Sequence, residues 1–148
     1  MVLHGIEDWP RATMAVMGSS LGGFYASWVA EQTLCKVVLL NPAVNPARDL
    51  VKYIGEQSSW HAPQDPFFFK PAYVDELRML TVKGMAKAEN YFAVIAKGDE
   101  VLDWVEMTAR YTGARIKLLA EGDHGLSDFD EHIDEILAFI DPLHAKDL

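Results

Sequence analysis

The first segment whose residue types could do chemistry is a glycine-rich turn that contains a serine. Residues 18–22 read GSSLG, which fits the pattern G-x-S-x-G with Ser20 at the central position. A chain of this length matches that pattern by chance roughly once in twenty, because glycine and serine are common residues. The flanking residues strengthen the match, since the apolar run TMAVM precedes it and the helix-like LGGFYASWVAEQ follows it. A nucleophilic serine in an α/β fold lies on a sharp turn between a strand and a helix, which is the setting that these flanking residues predict. The alternative is a tight glycine-rich turn that has no catalytic role.

The two glycines of the motif have a steric explanation. Side chains at positions 18 and 22 are expected to collide across so sharp a turn. The helix that starts at Leu21 directs its free N–H groups and the positive end of its dipole toward the serine. These features predict that the Ser20 hydroxyl stands above the end of the preceding strand.

Two further segments supply the partners that a nucleophilic serine requires. A serine needs a base, and the base must be oriented by a third group. The sequence GDHG places His124 after one apolar run, and GDEVLDW places Asp99 after another. Their order along the chain, Ser20, then Asp99, then His124, is the order found in α/β hydrolases. For the acid we favour Asp99, which lies on the turn itself, over Asp103, which lies one helical turn later.

Four apolar runs and the helical patterns between them predict the fold that must position these residues. The runs are continuous rather than alternating, which is typical of strands buried on both faces of a parallel sheet. They cover residues 13–18, 36–41, 90–98 and 114–122, and the helical patterns cover 21–32, 100–111 and 128–140, the last with Ser127 as its N-cap. Such alternation predicts an α/β fold with a mostly parallel sheet of about four strands and flanking helices. The carboxyl ends of parallel strands share one edge, so Ser20, Asp99 and His124 are expected to meet there.

The chain is long enough for one domain, interrupted by an insertion at about residues 42–89. A connection of this length is usually functional. It contains helical patterns at 47–54 and 71–80, with a stretch rich in proline and aromatic residues between them. Trp60 and the aromatic residues 67–69 either pack the insertion onto the sheet or contact the substrate. We predict that residues 1–148 form a single domain that contains this insertion.

Composition and apolar patterning restrict the binding partners and the cellular location that we expect for this protein. The chain has 13 basic and 22 acidic residues, a net charge of −9, which disfavours binding to nucleic acid. No apolar run approaches the roughly 18 residues of a membrane span. The single cysteine, Cys35, cannot form an internal disulfide, and the amino terminus lacks the pattern of a signal peptide, so a cytoplasmic location is expected.

The remaining histidines and the metal-binding patterns offer no stronger site. His4, His132 and His144 are expected on the surface, whereas His61 lies in the insertion and could line a pocket. The chain has no H-E-x-x-H motif and no paired Cys/His spacing, so a metal site is not predicted.

Four segments in the same order resemble the YqiA-like family of small bacterial esterases within the α/β-hydrolase fold. They are GSSLGGFYASW, LNPAVNP, GDEVLDW and EGDHG, and the resemblance runs from about residue 13 to the carboxyl terminus. It implies Ser20 as nucleophile, Asp99 as acid and His124 as base, with Asn41 and Pro42 closing the second strand beside the site. The implied activity is hydrolysis of acyl esters, or of thioesters, on a small-molecule substrate and without a cofactor.

One departure from that family concerns the start of the chain. Only twelve residues precede TMAVMG, whereas the family begins with a strand, a His-Gly-type loop, a helix and a second strand. We interpret residues 1–9 as the end of the preceding helix and expect that roughly fifty residues of the fold are absent from this chain. The Leu21 N–H would then be the oxyanion donor that remains, and the bare edge of the first strand would favour self-association. The alternative functions are a non-catalytic binding or assembly module, and a peptidase or lactonase on the same fold.

Overall fold

The computed structural model describes residues 2–58 and 66–141. The strands are β1 (Ala15–Ser19), β2 (Lys36–Leu40), β3 (Gly55–Ser58), β4 (Pro66–Phe69), β5 (Tyr91–Ala96) and β6 (Arg115–Leu119). The α-helices are α1 (Val2–Gly5), α2 (Leu21–Thr33), α3 (Pro46–Leu50), α4 (Pro71–Met79), α5 (Trp104–Arg110) and α6 (Ile133–Ile140). Short 3-10 helices cover Val51–Tyr53, Ala88–Asn90 and Phe129–Glu131.

The main sheet contains four parallel strands in the order β1-β2-β5-β6. In register, Ser19 lies beside Leu40, Leu40 beside Val94, and Ala96 beside Leu119. The carboxyl ends of all four strands therefore form one edge, where parallel α/β sheets carry their sites. The predicted fold class, a mostly parallel sheet of about four strands with flanking helices, is confirmed.

Burial follows the position of each strand in the sheet. Every residue of the central strand β5 is buried, as are the three middle residues of β2, whereas the outer strands β1 and β6 contain only partly buried and exposed residues. Among the described strands, β1 pairs only with β2, and Met17 on it is 51% exposed. Self-association through this edge stays a prediction.

Helix α2 is linked to β5 and to the residue after α5 by hydrogen bonds between polar side chains. The Ser27 hydroxyl shares a hydrogen bond of 2.9 Å with the hydroxyl of Tyr111, and the Tyr91 hydroxyl donates to Glu31 at 2.5 Å. Burial raises the pKa of both phenols, and the hydrogen bond to Glu31 raises the pKa of Tyr91 further. Because α2 begins directly after Ser20, these contacts hold the element that carries the serine.

Two predicted helix boundaries are wrong. The helix predicted at 100–111 begins at Trp104, because the preceding residues form a turn around the side chain of Asp99. The helix predicted at 128–140 is divided into the 3-10 helix Phe129–Glu131 and α6. Ser127 is not its N-cap: its N–H and its hydroxyl both donate to the carboxylate of Asp123.

Among the described residues, those between 45 and 81 form one compact unit, and residues 2–44 with 82–141 form the other. The smaller unit lies within the predicted insertion and contains α3, α4 and the antiparallel pair β3–β4, in which Glu56 faces Phe68. Its helices correspond to the patterns at 47–54 and 71–80, and Val74 and Leu77 of α4 are buried. On β4, Phe67 and Phe68 are 49% and 58% exposed. Trp60, His61 and His144 lie outside the described residues, and the division into one domain with an insertion stays a prediction.

Candidate active site

The structure brings Ser20, Asp99 and His124 together at the carboxyl edge of the sheet. The Nε2 atom of His124 lies 2.9 Å from the Ser20 hydroxyl oxygen, and its Nδ1 atom lies 2.8 Å from Oδ2 of Asp99. Because a carboxylate only accepts hydrogen bonds, Nδ1 carries the proton and Nε2 of the neutral ring accepts from the serine hydroxyl. The Asp99 side chain is fully buried and that of His124 is 21% exposed, so the ring reaches from the protein interior to the surface.

Ser20 occupies a strained turn between β1 and α2. Its backbone angles, φ 54° and ψ −122°, lie in a region that residues with a side chain rarely adopt. A Cβ atom on Gly18 would lie 2.1 Å from the carbonyl oxygen of Gly22, so a side chain at position 18 is excluded. The same expectation for Gly22 is wrong, because a Cβ atom there would meet nothing within 4 Å. The second position at which a side chain would collide is Gly23, where a Cβ atom would lie 2.7 Å from Cβ of Pro42.

The backbone of Ser20 is held by the last residue of β2 and by a residue shortly after that strand. Its N–H donates to the carbonyl oxygen of Leu40 at 2.9 Å, and its carbonyl oxygen accepts from the N–H of Ala43 at 2.9 Å. The same oxygen accepts from the N–H of Gly23 in the first turn of α2. Leu21 is the first residue of that helix, so its N–H has no acceptor within the helix and lies at the positive end of the dipole.

Both oxygens of the Asp99 carboxylate are engaged. Oδ1 accepts from the backbone N–H groups of Val101 and Leu102, each at 2.8 Å, while Oδ2 faces His124. These hydrogen bonds fix the plane of the carboxylate and therefore the direction in which it holds the imidazole. Asp103, the other candidate acid, instead caps α5 by accepting from the N–H of Val105 at 2.8 Å.

Two residues hold the segment around His124: Glu100, to which the sequence reasoning gave no role, and Asn41, which the resemblance placed at the end of the second strand. Oε2 of Glu100 accepts from the backbone N–H of His124 at 3.0 Å. Nδ2 of Asn41 donates to the carbonyl oxygens of Asp123 and His124, at 2.9 and 3.0 Å. The resemblance placed Asn41 beside the site but gave it no contact. The Asp123 carboxylate accepts hydrogen bonds from the hydroxyl and the N–H of Ser127, and these bonds hold the pKa of the Asp123 carboxyl below its usual value.

Two other histidines are described by the structure, and the prediction fails for one of them. His4 is 84% exposed on the side chain and contacts Glu7 at 3.1 Å, as expected of a surface residue. His132 is 5% exposed and occupies the N-cap of α6, so its prediction as a mid-helix surface residue is wrong. Residues 2–58 and 66–141 hold no group of three or more His, Cys, Asp or Glu side chains placed to bind a metal ion. Every helix in this part of the chain is too short or insufficiently apolar to span a bilayer.

Comparison with protein families identifies the relatives of this chain. The model of the uncharacterised protein family UPF0227 matches residues 2–141, nearly the whole chain. The chain belongs to UPF0227. This is the YqiA-like family that the four sequence segments resemble, so the prediction of the family is confirmed.

Solved structures similar to this UPF0227 member share its fold at low sequence identity. A protein from Agrobacterium vitis S4 has a TM-score of 0.65 at 22% identity, with 95% of this chain and 65% of that chain covered. An esterase domain from Rhodothermus marinus has a TM-score of 0.61 at 19% identity, with 93% and 64% covered. An alpha/beta superfamily hydrolase from Oenococcus oeni PSU-1 has a TM-score of 0.58 at 15% identity, with 94% and 72% covered. The fold is therefore that of the α/β hydrolases, and the chain spans about two thirds of the length of these structures.

Proposed function

We propose that this UPF0227 member is a serine hydrolase that cleaves small acyl esters or acyl thioesters. One observation carries the proposal: the His124 ring bridges the Ser20 hydroxyl at 2.9 Å and the buried Asp99 carboxylate at 2.8 Å. A nucleophile, a base within hydrogen-bond reach of it and a group that orients the base are the three parts that acyl transfer requires. The similarity to an esterase domain supports the choice of an ester substrate.

The geometry gives each side chain one role in the first half-reaction. Ser20 Oγ attacks the acyl carbonyl carbon while its proton passes to Nε2 of His124. The carbonyl electron pair moves onto oxygen, where the N–H of Leu21 donates to the oxyanion. The intermediate collapses, the leaving alcohol or thiol takes the proton from Nε2, and the acyl group stays on Ser20. Asp99 accepts from Nδ1–H throughout and stabilises the imidazolium while it exists.

The second half-reaction releases the acid with the same groups. A water molecule gives a proton to Nε2 of His124 and attacks the acyl carbon on Ser20. The second tetrahedral intermediate collapses, the carboxylic acid leaves, and the proton returns from Nε2 to Ser20 Oγ. Every proton that the reaction moves passes through one imidazole nitrogen, so the reaction needs no cofactor. The cytoplasmic location stays a prediction from the sequence.

Hydrolysis of p-nitrophenyl esters of increasing acyl length tests the proposal. We expect slow turnover by the 148-residue chain, because the sequence leaves it the N–H of Leu21 as oxyanion donor, and we expect Ser20→Ala to reduce that turnover to the background rate with the fold retained by circular dichroism. Ser19→Ala is the matched control, because Ser19 is the neighbouring serine on β1 and lies outside the hydrogen bonds of the site. A chain that binds ester analogues but never turns them over would instead favour the non-catalytic binding module.

A further inference from the structure

Asn41 is a fully buried polar residue directly after β2 with a backbone conformation that disfavours most side chains. It has no exposed surface, and its φ is +40°, in the left-handed region. Asparagine is among the few residues other than glycine that adopt this region readily. Both the polar side chain and the strained backbone cost free energy in the interior unless they are compensated.

The side chain of Asn41 is compensated by three hydrogen bonds to backbone groups of two other segments. Oδ1 accepts from the N–H of Ala96, the last residue of β5, at 2.8 Å. Nδ2 uses its two protons on the carbonyl oxygens of Asp123 and His124, at 2.9 and 3.0 Å. The amide therefore links the end of β5, which leads to Asp99, with the backbone of His124 itself.

The residues on either side of Asn41 hold the backbone of the nucleophile, Ser20, through main-chain hydrogen bonds. Leu40 accepts from the N–H of Ser20, and Ala43 donates to the carbonyl oxygen of Ser20, both at 2.9 Å. One segment, residues 40–43, thus fixes the backbone of the serine through its main chain and the backbone of the histidine through one side chain.

We propose that Asn41 is the positioning residue of this site. Its side-chain amide sets the separation between His124 Nε2 and Ser20 Oγ by tying the histidine backbone to the segment that holds the serine. The inference rests on the proposed hydrolase function and goes beyond it, because Asn41 touches no reacting atom and acts through the backbone of His124. Misplacement of a catalytic group by about 1 Å costs on the order of a hundredfold in rate.

The variant Asn41→Asp separates this role from simple packing. Aspartate has the same shape, tolerates the same φ and keeps an acceptor for the N–H of Ala96. It replaces the two donated protons with an oxygen that faces two carbonyl oxygens. We expect the rate of Ser20 modification by a fluorophosphonate, and kcat for an ester, to fall about a hundredfold with KM unchanged. We also expect the downfield proton resonance of His124 Nδ1–H to shift or broaden.

Asn90→Asp is the matched control for the loss of a side-chain donor and the added charge. Nδ2 of Asn90 donates to the carbonyl oxygen of Leu34 at 2.8 Å, just before the first residue of β5 and therefore at the opposite end of the sheet. This variant should lose some thermal stability but keep the wild-type labelling rate and the wild-type proton resonance. Equal labelling rates for Asn41→Asp and the wild type would overturn the inference, and so would an equal loss of rate in Asn90→Asp.

Two further measurements keep the test decisive. If Asn41→Asp does not fold, Asn41→Gly is used in its place, because glycine accepts the positive φ and removes all three hydrogen bonds. If neither folds, exchange of the Asn41 side-chain amide protons in the wild-type protein decides: slow exchange supports the inference, and exchange as fast as in a free asparagine contradicts it. A wild-type chain that is not labelled at Ser20 at all would refute the hydrolase proposal itself, which is a separate outcome.

Discussion

Gly98 and Gly122 touch through their backbones, so closely that a Cβ atom on Gly98 would lie 2.1 Å from the carbonyl oxygen of Gly122. Gly98 immediately precedes Asp99, and Gly122 lies two residues before His124. Gly122 also has a φ of +99°, which favours glycine. The contact between the turn after β5 and the loop after β6 is therefore what allows Asp99 and His124 to approach to 2.8 Å.

Substitution Gly98→Ala should separate the two loops. We expect overpacking to lower the free energy of unfolding by about 1–3 kcal/mol and ester hydrolysis to fall by about a hundredfold. Gly125→Ala is the control, since its Cβ would meet only the Asp123 carboxylate, at an ordinary 3.8 Å. Denaturant unfolding and initial rates on both variants check this, and a Gly98→Ala variant that is as active and stable as Gly125→Ala would contradict it.

The two glycines of the G-x-S-x-G motif should respond differently to alanine. At Gly18 the new methyl group would overlap the carbonyl of Gly22, so we expect loss of the folded elbow or a lower melting temperature. At Gly22, which is exposed in the first turn of α2, alanine meets no atom and favours the helix by up to about 1 kcal/mol. Thermal unfolding of both variants distinguishes them. Equal destabilisation would mean that Gly22 carries a steric requirement after all.

The two candidate acids can be separated by the same chemical change. Asp99→Asn replaces the carboxylate that accepts from His124 Nδ1–H, which favours the wrong tautomer, so kcat should fall by about 10⁴. Asp103→Asn should have little effect, because asparagine also caps a helix and can accept from the N–H of Val105. Steady-state kinetics check both variants. A larger loss for Asp103→Asn would place the acid on α5.

The ion pairs of Glu135 predict one pH dependence of stability. Hydrogen bonds from Lys117, at 2.6 Å, and from Arg115 hold the pKa of the Glu135 carboxyl below its usual value. A lowered pKa in the folded state adds stability above the unfolded pKa of about 4.3, and that stability is lost as the pH falls through the folded pKa. The free energy of unfolding of Glu135→Gln at pH 7 should therefore be about 0.5 kcal/mol lower than that of the wild type, which is the scale for partly exposed ion pairs.

The difference in free energy of unfolding between Glu135→Gln and the wild type should disappear at lower pH. Once the carboxyl is protonated in both the folded and the unfolded wild type, the two proteins differ little in charge at position 135. Denaturant unfolding at pH 7 and at pH values below about 4 measures this change. A difference of the same size throughout that range would show that Glu135 contributes through packing rather than through its charge.

The sequence was most informative where one physical rule determined the structure. Continuous apolar runs identified β2 and β5, which are buried on both faces, and the parallel order followed from the helices between the runs. Because parallel strands end at one edge, the pattern also indicated that Ser20, Asp99 and His124 would lie together, and the structure places them within hydrogen-bond distance. That they perform catalysis stays a proposal.

The features that sequence reasoning missed depend on hydrogen bonds from side chains to backbone groups, both nearby and distant in the sequence. Helical periodicity extended α5 back to residue 100, since it could not show that Asp99 binds the N–H groups of Val101 and Leu102. Asn41 gave one signal, a polar residue between a buried strand and a proline. Its partners, Ala96 and the segment around His124, are 55 and more residues away in the sequence, so the role could not be inferred from local pattern.

The central claim, that Ser20 is a nucleophile activated by His124, is tested most directly by mass spectrometry after treatment with a fluorophosphonate. We predict one adduct per chain, located on Ser20 by fragmentation of the peptide that contains both Ser19 and Ser20. His124→Ala should lose the adduct at matched time and concentration while keeping the wild-type circular dichroism spectrum. An adduct on Ser19, no adduct in the folded wild-type chain, or labelling as fast in His124→Ala as in the wild type would contradict the claim.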